Sequence, residues 1–163
     1  IEYFDNTQNC LIFEHKPNAS IKIFNRLLEK GNSGILITRN HPDKLIPSIN
    51  SKNIDAYWLS AEDFDYVIHP WDITFLINVI EDFIKKNNQG IILLNGLEYL
   101  STYNHINVVY NIIYRLTKVV SNSDSKFFVT IDPIAIGNKF LGIIRSKSEI
   151  ITIPSNPIKE ALA

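Results

Sequence analysis

Six side chains set the chemical possibilities of this chain: Glu14, Lys16, Arg39, Asn95, Glu98 and Asp132. Each follows closely on a short apolar run. Glu14 and Lys16 come after Leu11-Ile12-Phe13, and Arg39 after Gly34-Ile35-Leu36-Ile37-Thr38. Asn95 and Glu98 come after Ile91-Ile92-Leu93-Leu94, and Asp132 after Lys126-Phe127-Phe128-Val129-Thr130-Ile131. If the runs are strands of one open α/β sheet, these groups collect beyond the carboxy ends, where such sheets bind ligands. His15, His41 and Tyr99 fall in the same loops. Two kinds of chemistry are open to such a cluster. It can hold a nucleotide or other phosphate ligand through Lys16, Arg39 and the amino end of the first helix. Alternatively its charges can pair with one another, and Glu98 with Arg39 reads as an ion pair locking two loops. The plainer view of the whole cluster is strand-end caps and turn residues, which loops carry without function.

The first possibility has a sequence test. A phosphate loop, G-x-x-x-x-G-K-[ST], uses glycines to let backbone amides approach the phosphates and a lysine to neutralise them. The eight residues in that place are Glu14-His15-Lys16-Pro17-Asn18-Ala19-Ser20-Ile21. Glu14, Ala19, Ser20 and Ile21 stand where the two glycines, the lysine and the hydroxyl residue belong, and Glu14 adds negative charge. After the run ending at Leu94, nucleotide-handling proteins place an Asp for magnesium. Here Asn95, a neutral and poorer ligand for a hard cation, stands there. ATP hydrolysis by the usual route is not expected.

The elements that must position these groups alternate. Strands are expected at Leu11–Phe13, Gly34–Thr38, Asp55–Ser60, Ile91–Leu94, Lys126–Ile131 and Glu149–Ile153. A helix starts at Asn18 or Ser20 and runs to Lys30, stopping at Gly31. A short one, capped by Asn40 or His41 with Pro42 at its first position, reaches about Ile49. The clearest, from Trp71 to Lys86, carries the stripe Ile73, Leu76, Ile77, Ile80 and Ile84. Another, Asn104 to Val120, has an apolar face wide enough to be buried on more than one side. Asp132-Pro133 caps a short helical segment, and Asn138–Arg145 continues helically. Residues 61–70 read as a connection, and 154–163 as a loose tail or short helix. Strand and helix alternate about five times, which calls for an α/β three-layer sandwich with a mainly parallel sheet.

Length fits one domain spanning 1–163, with its core over about 9–153. A hydrophobic fraction of 45% with 20% charged residues excludes wholesale disorder. Net charge of −1 gives no global pull toward nucleic acid or an anionic membrane. The small basic edge of Lys16, Lys22 and Arg26 lacks interleaved aromatics, so no nucleic-acid partner is expected. No apolar run is long enough to span a bilayer, and the start lacks a signal peptide. The lone Cys10 excludes an intrachain disulfide and suits a reducing, cytoplasmic setting. The chain does not begin with Met, which reads as a domain taken from a longer protein. His15, His41, His69 and His105 lie in separate loops without metal-ligand spacing, so neither metal nor cofactor is expected. Serines without a paired histidine and acid argue nothing for acyl transfer. Trp58 and Trp71 read as core or interface residues, and Glu62, Asp63 and Asp65 as a solvated acidic loop.

Several segments carry a resemblance. Asn9–Phe13, Phe24–Gly31 and Gly34–Thr38 resemble the opening of KaiC/RecA-like ATPases. Gly34–Pro42, Ala56–Ser60 and Gly90–Leu100 look like the archaeal domain-of-unknown-function family 835 (DUF835). The last is the most specific, because members usually read Leu-Asp-Gly-Leu-Glu-Tyr-Leu there; this chain departs at Asn95. Val129-Thr130-Ile131-Asp132-Pro133 fits the family's later strand. The resemblance covers about Asn9 to Ile153 and implies a RecA-like fold without an intact phosphate loop. The family has no established activity, and its members often sit beside membrane segments or sensory domains. Together these readings point to a catalytically inactive RecA/KaiC-like domain that acts as a protein-interaction or regulatory module. A protein partner is expected, with self-association a secondary expectation. The rival is a domain that binds a nucleotide or other phosphate ligand at the strand ends.

Overall fold

Gly34–Thr38 and Ile91–Asn95 are buried at every position, as strands covered on both faces must be. In chain order the elements are β1 (Asn9–Phe13), α1 (Ala19–Leu28), β2 (Gly34–Thr38) and α2 (Pro42–Leu45) with a 3-10 turn over Ile46–Ser48. Next come β3 (Ile54–Leu59), β4 (Val67–Ile68), α3 (Ile73–Lys86), β5 (Ile91–Asn95), α4 (Leu97–Tyr103) and α5 (Ile106–Ser121). The last are β6 (Lys126–Ile131), α6 (Asn138–Lys147) and β7 (Ile151–Pro154). The computed structural model describes residues 6–49, 52–147 and 151–154. Their strands form one seven-stranded sheet in the order β4-β3-β2-β5-β6-β1-β7. Every pairing in it is parallel.

Register divides the strand residues between two cores. Leu36, Leu93, Phe128 and Cys10 lie in one row across β2, β5, β6 and β1, and they pack with α1 through Phe24, Leu27 and Leu28. Their neighbours in sequence face the other way: Ile35, Ile37, Ile92, Leu94, Phe127 and Val129 pack with α3, α4, α5 and α6. This is the three-layer α/β arrangement. Cys10 sits inside the first row, and burial pushes its thiol up to about 12, so it is unreactive at neutral pH.

Local chemistry sets the helix starts. The Asp72 carboxylate accepts from the Phe75 amide at 3.2 Å and caps α3, which places the start two residues after Trp71. His41 caps α2 with Pro42 at its first position, and His105 caps α5. Three readings are corrected, and one helix was not anticipated. Residues 61–70 contain β4, too short for any periodicity to show. Leu97–Tyr103 forms α4, entered through Gly96 in the left-handed region rather than a side-chain cap. Asp132-Pro133 opens no helix; the Asp132 carboxylate accepts from the Ile134 amide at 2.9 Å and closes a tight turn instead. On α5 the buried stripe is Val109, Ile112, Ile113, Leu116, Thr117 and Val120, while Val108 stays 38% exposed. Of the final strand, Ile151–Ile153 is paired beside β1; Glu149, Ile150 and the tail 155–163 lie outside the described residues.

Gly34 marks how closely α1 approaches the sheet. A Cβ there would stand 2.7 Å from Leu28 Cδ2 and 2.8 Å from Phe24 Cζ, both packed in the core. Gly34→Ala is therefore expected to cost about 1–3 kcal/mol by overpacking, read as a lower urea midpoint at unchanged m-value.

Candidate functional site at the strand ends

Strands β2, β5, β6 and β1 are consecutive neighbours, so the residues at or just beyond their carboxy ends stand in a row: Arg39, Asn95, Asp132, Glu14. At the centre, Asn95 lies in register between Thr38 and Thr130. The Thr38 hydroxyl donates to Asn95 Oδ1 at 3.1 Å, and Asn95 Nδ2 donates to Thr130 Oγ1 at 2.9 Å. Thr130 Oγ1 also accepts from the Gly96 amide at 3.1 Å. The buried amide thus uses both its donor and its acceptor to tie three strands together. An amide can donate to Thr130 and accept from Thr38 at once, and Asn95 serves as a cross-strand clamp.

Beside the clamp, Gly96 adopts φ +101°. A Cβ there would fall 2.8 Å from Arg39 Cδ and 2.9 Å from Cγ. The bare glycine lets the Arg39 stem cross over it and bring Nε within 3.2 Å of Glu98 Oε1. The expected ion pair between these two residues is present. The other Glu98 oxygen, Oε2, accepts from the Asp132 amide at 3.1 Å, and Asp132 Oδ2 lies 2.7 Å from His15 Nδ1. A continuous polar chain therefore runs Arg39–Glu98–Asp132–His15 across three loops. Glu98 and Asp132 are buried within it, whereas the His15 ring is 65% exposed. Burial works to raise the Asp132 carboxyl. The Ile134 amide, the His15 ring and the Arg39 charge outweigh it and hold the group below its ordinary 3.8.

Glu14 turns the other way, into the start of α1. The hydroxyl of Ser20 donates to Glu14 Oε1, and the amides of Asn18 and Ser20 donate to Oε2 at 3.3 and 3.4 Å. Asn18 occupies the cap position but makes no side-chain cap bond. Glu14 supplies it from four residues upstream of Asn18, and the carboxylate faces the positive end of the helix dipole. Only 7% of Glu14 is exposed. Burial raises its carboxyl above the ordinary 4.5, although the Ser20 hydroxyl and the amides of Ser20, Asn18 and Ala19 pull it down.

Of the six candidate residues, Arg39, Glu98 and Asp132 join in one chain, Asn95 forms the clamp and Glu14 caps α1. Lys16 is exposed on the same loop and belongs to none of these contacts. His41 stands apart, with its ring 4.8 Å from that of Trp58. His69 stacks on Trp71 at 4.8 Å. Neither tryptophan lies in the core. Among the described residues no three His, Cys, Asp or Glu side chains converge as a metal shell. A histidine oriented by a buried carboxylate, as His15 is by Asp132, is half of a general-base arrangement; the Ser20 hydroxyl is bonded to Glu14 instead. Thr38 and Thr130 were not anticipated as site residues, and Ser20 was expected at the helix start but not as the partner of Glu14. The available signal was a threonine at or next to the end of two of these strands.

Glu14 and Asp132 bend the pH dependence of stability in opposite directions. Glu14 holds its proton more readily folded than unfolded, so its contribution grows as pH falls from neutral toward 4.5. Asp132 contributes fully above 3.8 and loses that contribution as pH drops through its depressed value. In melting curves between neutral pH and 4.5, wild type should gain on Glu14→Gln as acid is added. Below 3.8 it should lose ground to Asp132→Asn. At neutral pH, Glu14→Ala is expected to cost about 1 kcal/mol through loss of the cap.

Residues 13–147 match the family model described as "Protein of unknown function (DUF835)". No curated protein matches the chain. Among solved structures it is similar to the crystal structure of a KaiC-like protein from the hyperthermophilic archaeon Pyrococcus horikoshii OT3. The TM-score is 0.52 at 10% sequence identity, over 90% of this chain and 72% of that one. At that identity the likeness is one of fold: the parallel sheet and its helices have the KaiC-like, RecA-type arrangement. The family match covers most of the chain, including every residue of the strand-end row, and the chain belongs to the DUF835 family.

Proposed function

We propose that this chain is a RecA/KaiC-like domain that has given up nucleotide chemistry and serves as a protein-interaction or regulatory module. One observation carries the reading: the Glu14 carboxylate is bonded to the amides and hydroxyl that open α1. A phosphate loop offers those groups to a ligand anion. In this chain an internal anion takes them, and a nucleotide phosphate would meet both an occupied helix start and a like charge. The Asn95 clamp supports the same reading, because a neutral amide engaged by Thr38 and Thr130 has little to offer magnesium. What remains is a surface on which His15, Lys16 and part of Arg39 reach solvent above the buried Glu98 and Asp132, suited to contact with another protein. RecA-like proteins assemble side by side, so self-association through such a surface accompanies the proposal.

Titration with ATP, ADP and GTP, each with Mg²⁺, tests this. A nucleotide held with a Kd of about 10 μM and supplied at about 1 mM would raise the Tm by about 5–10 °C. The expected shift is under about 1 °C for all three. A shift in the larger range that disappears in Arg39→Ala would overturn the proposal and assign the strand ends to a phosphate ligand.

A further inference from the structure

A cavity of about 530 Å³ opens at the outer edge of the sheet, between the start of α2 and the loop before β4, and adjoins the loop that follows β2. It exists because β4 is only two residues long. That strand pairs with Trp58 and Leu59 and leaves the first half of β3 as the outermost strand. Trp58 and Ser60 turn their N–H groups outward, donating to the carbonyls of Tyr66 at 2.8 Å and Ile68 at 3.1 Å. Strand backbone alternates sides at each residue. Ile54 and Ala56 therefore direct theirs to the same outer side, beside the place where β4 has ended, and both line the cavity.

The walls are aromatic and acidic. The Trp58 ring stands 4.8 Å from that of His41 and 5.5 Å from that of Phe64. Phe64 is 61% and Tyr66 74% exposed. Tyr66 adopts φ +62°, a left-handed conformation uncommon for a bulky residue, and one that local strain keeps at binding surfaces. Asp43, Asp55 and Asp65 line the same cavity, and among the described residues no Lys or Arg does. Asp43 also stands 3.6 Å from His41 Nδ1; Asp55 and Asp65 are exposed.

Each feature selects an occupant. An open strand edge takes another strand through main-chain hydrogen bonds. Aromatic faces take a cation, and carboxylates without a lining Lys or Arg select positive charge over negative. We propose that this notch is a peptide-docking groove. It receives an extended, lysine- or arginine-bearing segment of a partner protein as an added strand beside Ile54–Tyr57, with the cationic side chains against Trp58, Phe64 and the carboxylates. This gives the interaction role a partner chemistry, yet it uses a different surface. Nucleotide binding at the strand ends would leave it standing.

Fluorescence anisotropy with a labelled, alternating lysine–threonine decapeptide tests the groove. The peptide should bind at low salt, and the glutamate–threonine analogue should not. Phe64→Ala combined with Asp65→Asn, both at exposed positions, should weaken binding by at least about tenfold, the effect of losing about 1.4 kcal/mol, at unchanged circular dichroism. Replacing the threonines by proline removes every second amide donor and should abolish binding. Absence of lysine–threonine binding overturns the proposal. So does equal binding of the glutamate or proline peptide, or indifference to the double substitution. Self-association of the free chain that the double substitution abolishes would give the groove to a second copy and overturn it as well.

Discussion

A parallel sheet covered on both faces leaves its strands no room for polar side chains except at their ends. In this chain the constraint is met by an apolar interior to β1, β2, β5 and β6 and by a band of polar groups where those strands stop. The band cannot lie loose, because Asn95, Glu98, Asp132 and Glu14 are buried along with the strands they follow. Buried polar atoms require partners, and the loops are folded so that each finds one. The Asn95 amide joins Thr38 and Thr130, Glu98 joins Arg39 and the Asp132 amide, and Glu14 joins the start of α1. The geometry of the loops follows from this satisfaction of hydrogen bonds more than from any contact with solvent.

The same constraint bears on the proposed loss of nucleotide chemistry. In a phosphate-binding relative of this fold the helix start, the strand-end side chain and the neighbouring base would await an anion and a cation. Here each of those groups has an internal partner. A carboxylate at the start of α1 takes up amide donors much as a bound anion would.

Much of the fold was legible in the sequence because α/β alternation is written in long periodic segments. The stripe of α3 and the apolar runs of β2 and β5 needed no tertiary information. The failures lie where tertiary contacts decide. Val67–Ile68 becomes a strand only because Trp58 and Leu59 are beside it, and Leu97–Tyr103 becomes helical after a glycine without a side-chain cap. At the site, Arg39 and Glu98 could be paired from their places after adjacent runs. Glu14 was read as a missing glycine, a loss of ligand chemistry. Its gain of a capping role depends on the loop curling back over Ser20, which no local pattern announces. Thr38 and Thr130 are ordinary strand residues until register sets them on either side of Asn95.

The crossing of the Arg39 stem over Gly96 has a mechanical consequence. Any side chain at position 96 would collide with Cγ and Cδ of Arg39, and it would have to adopt a left-handed backbone as well. A Cβ at position 96 would therefore force the Arg39 stem aside and draw Nε away from Glu98. The two positions, far apart in the chain, work as one joint: neither changes shape without loosening the ion pair.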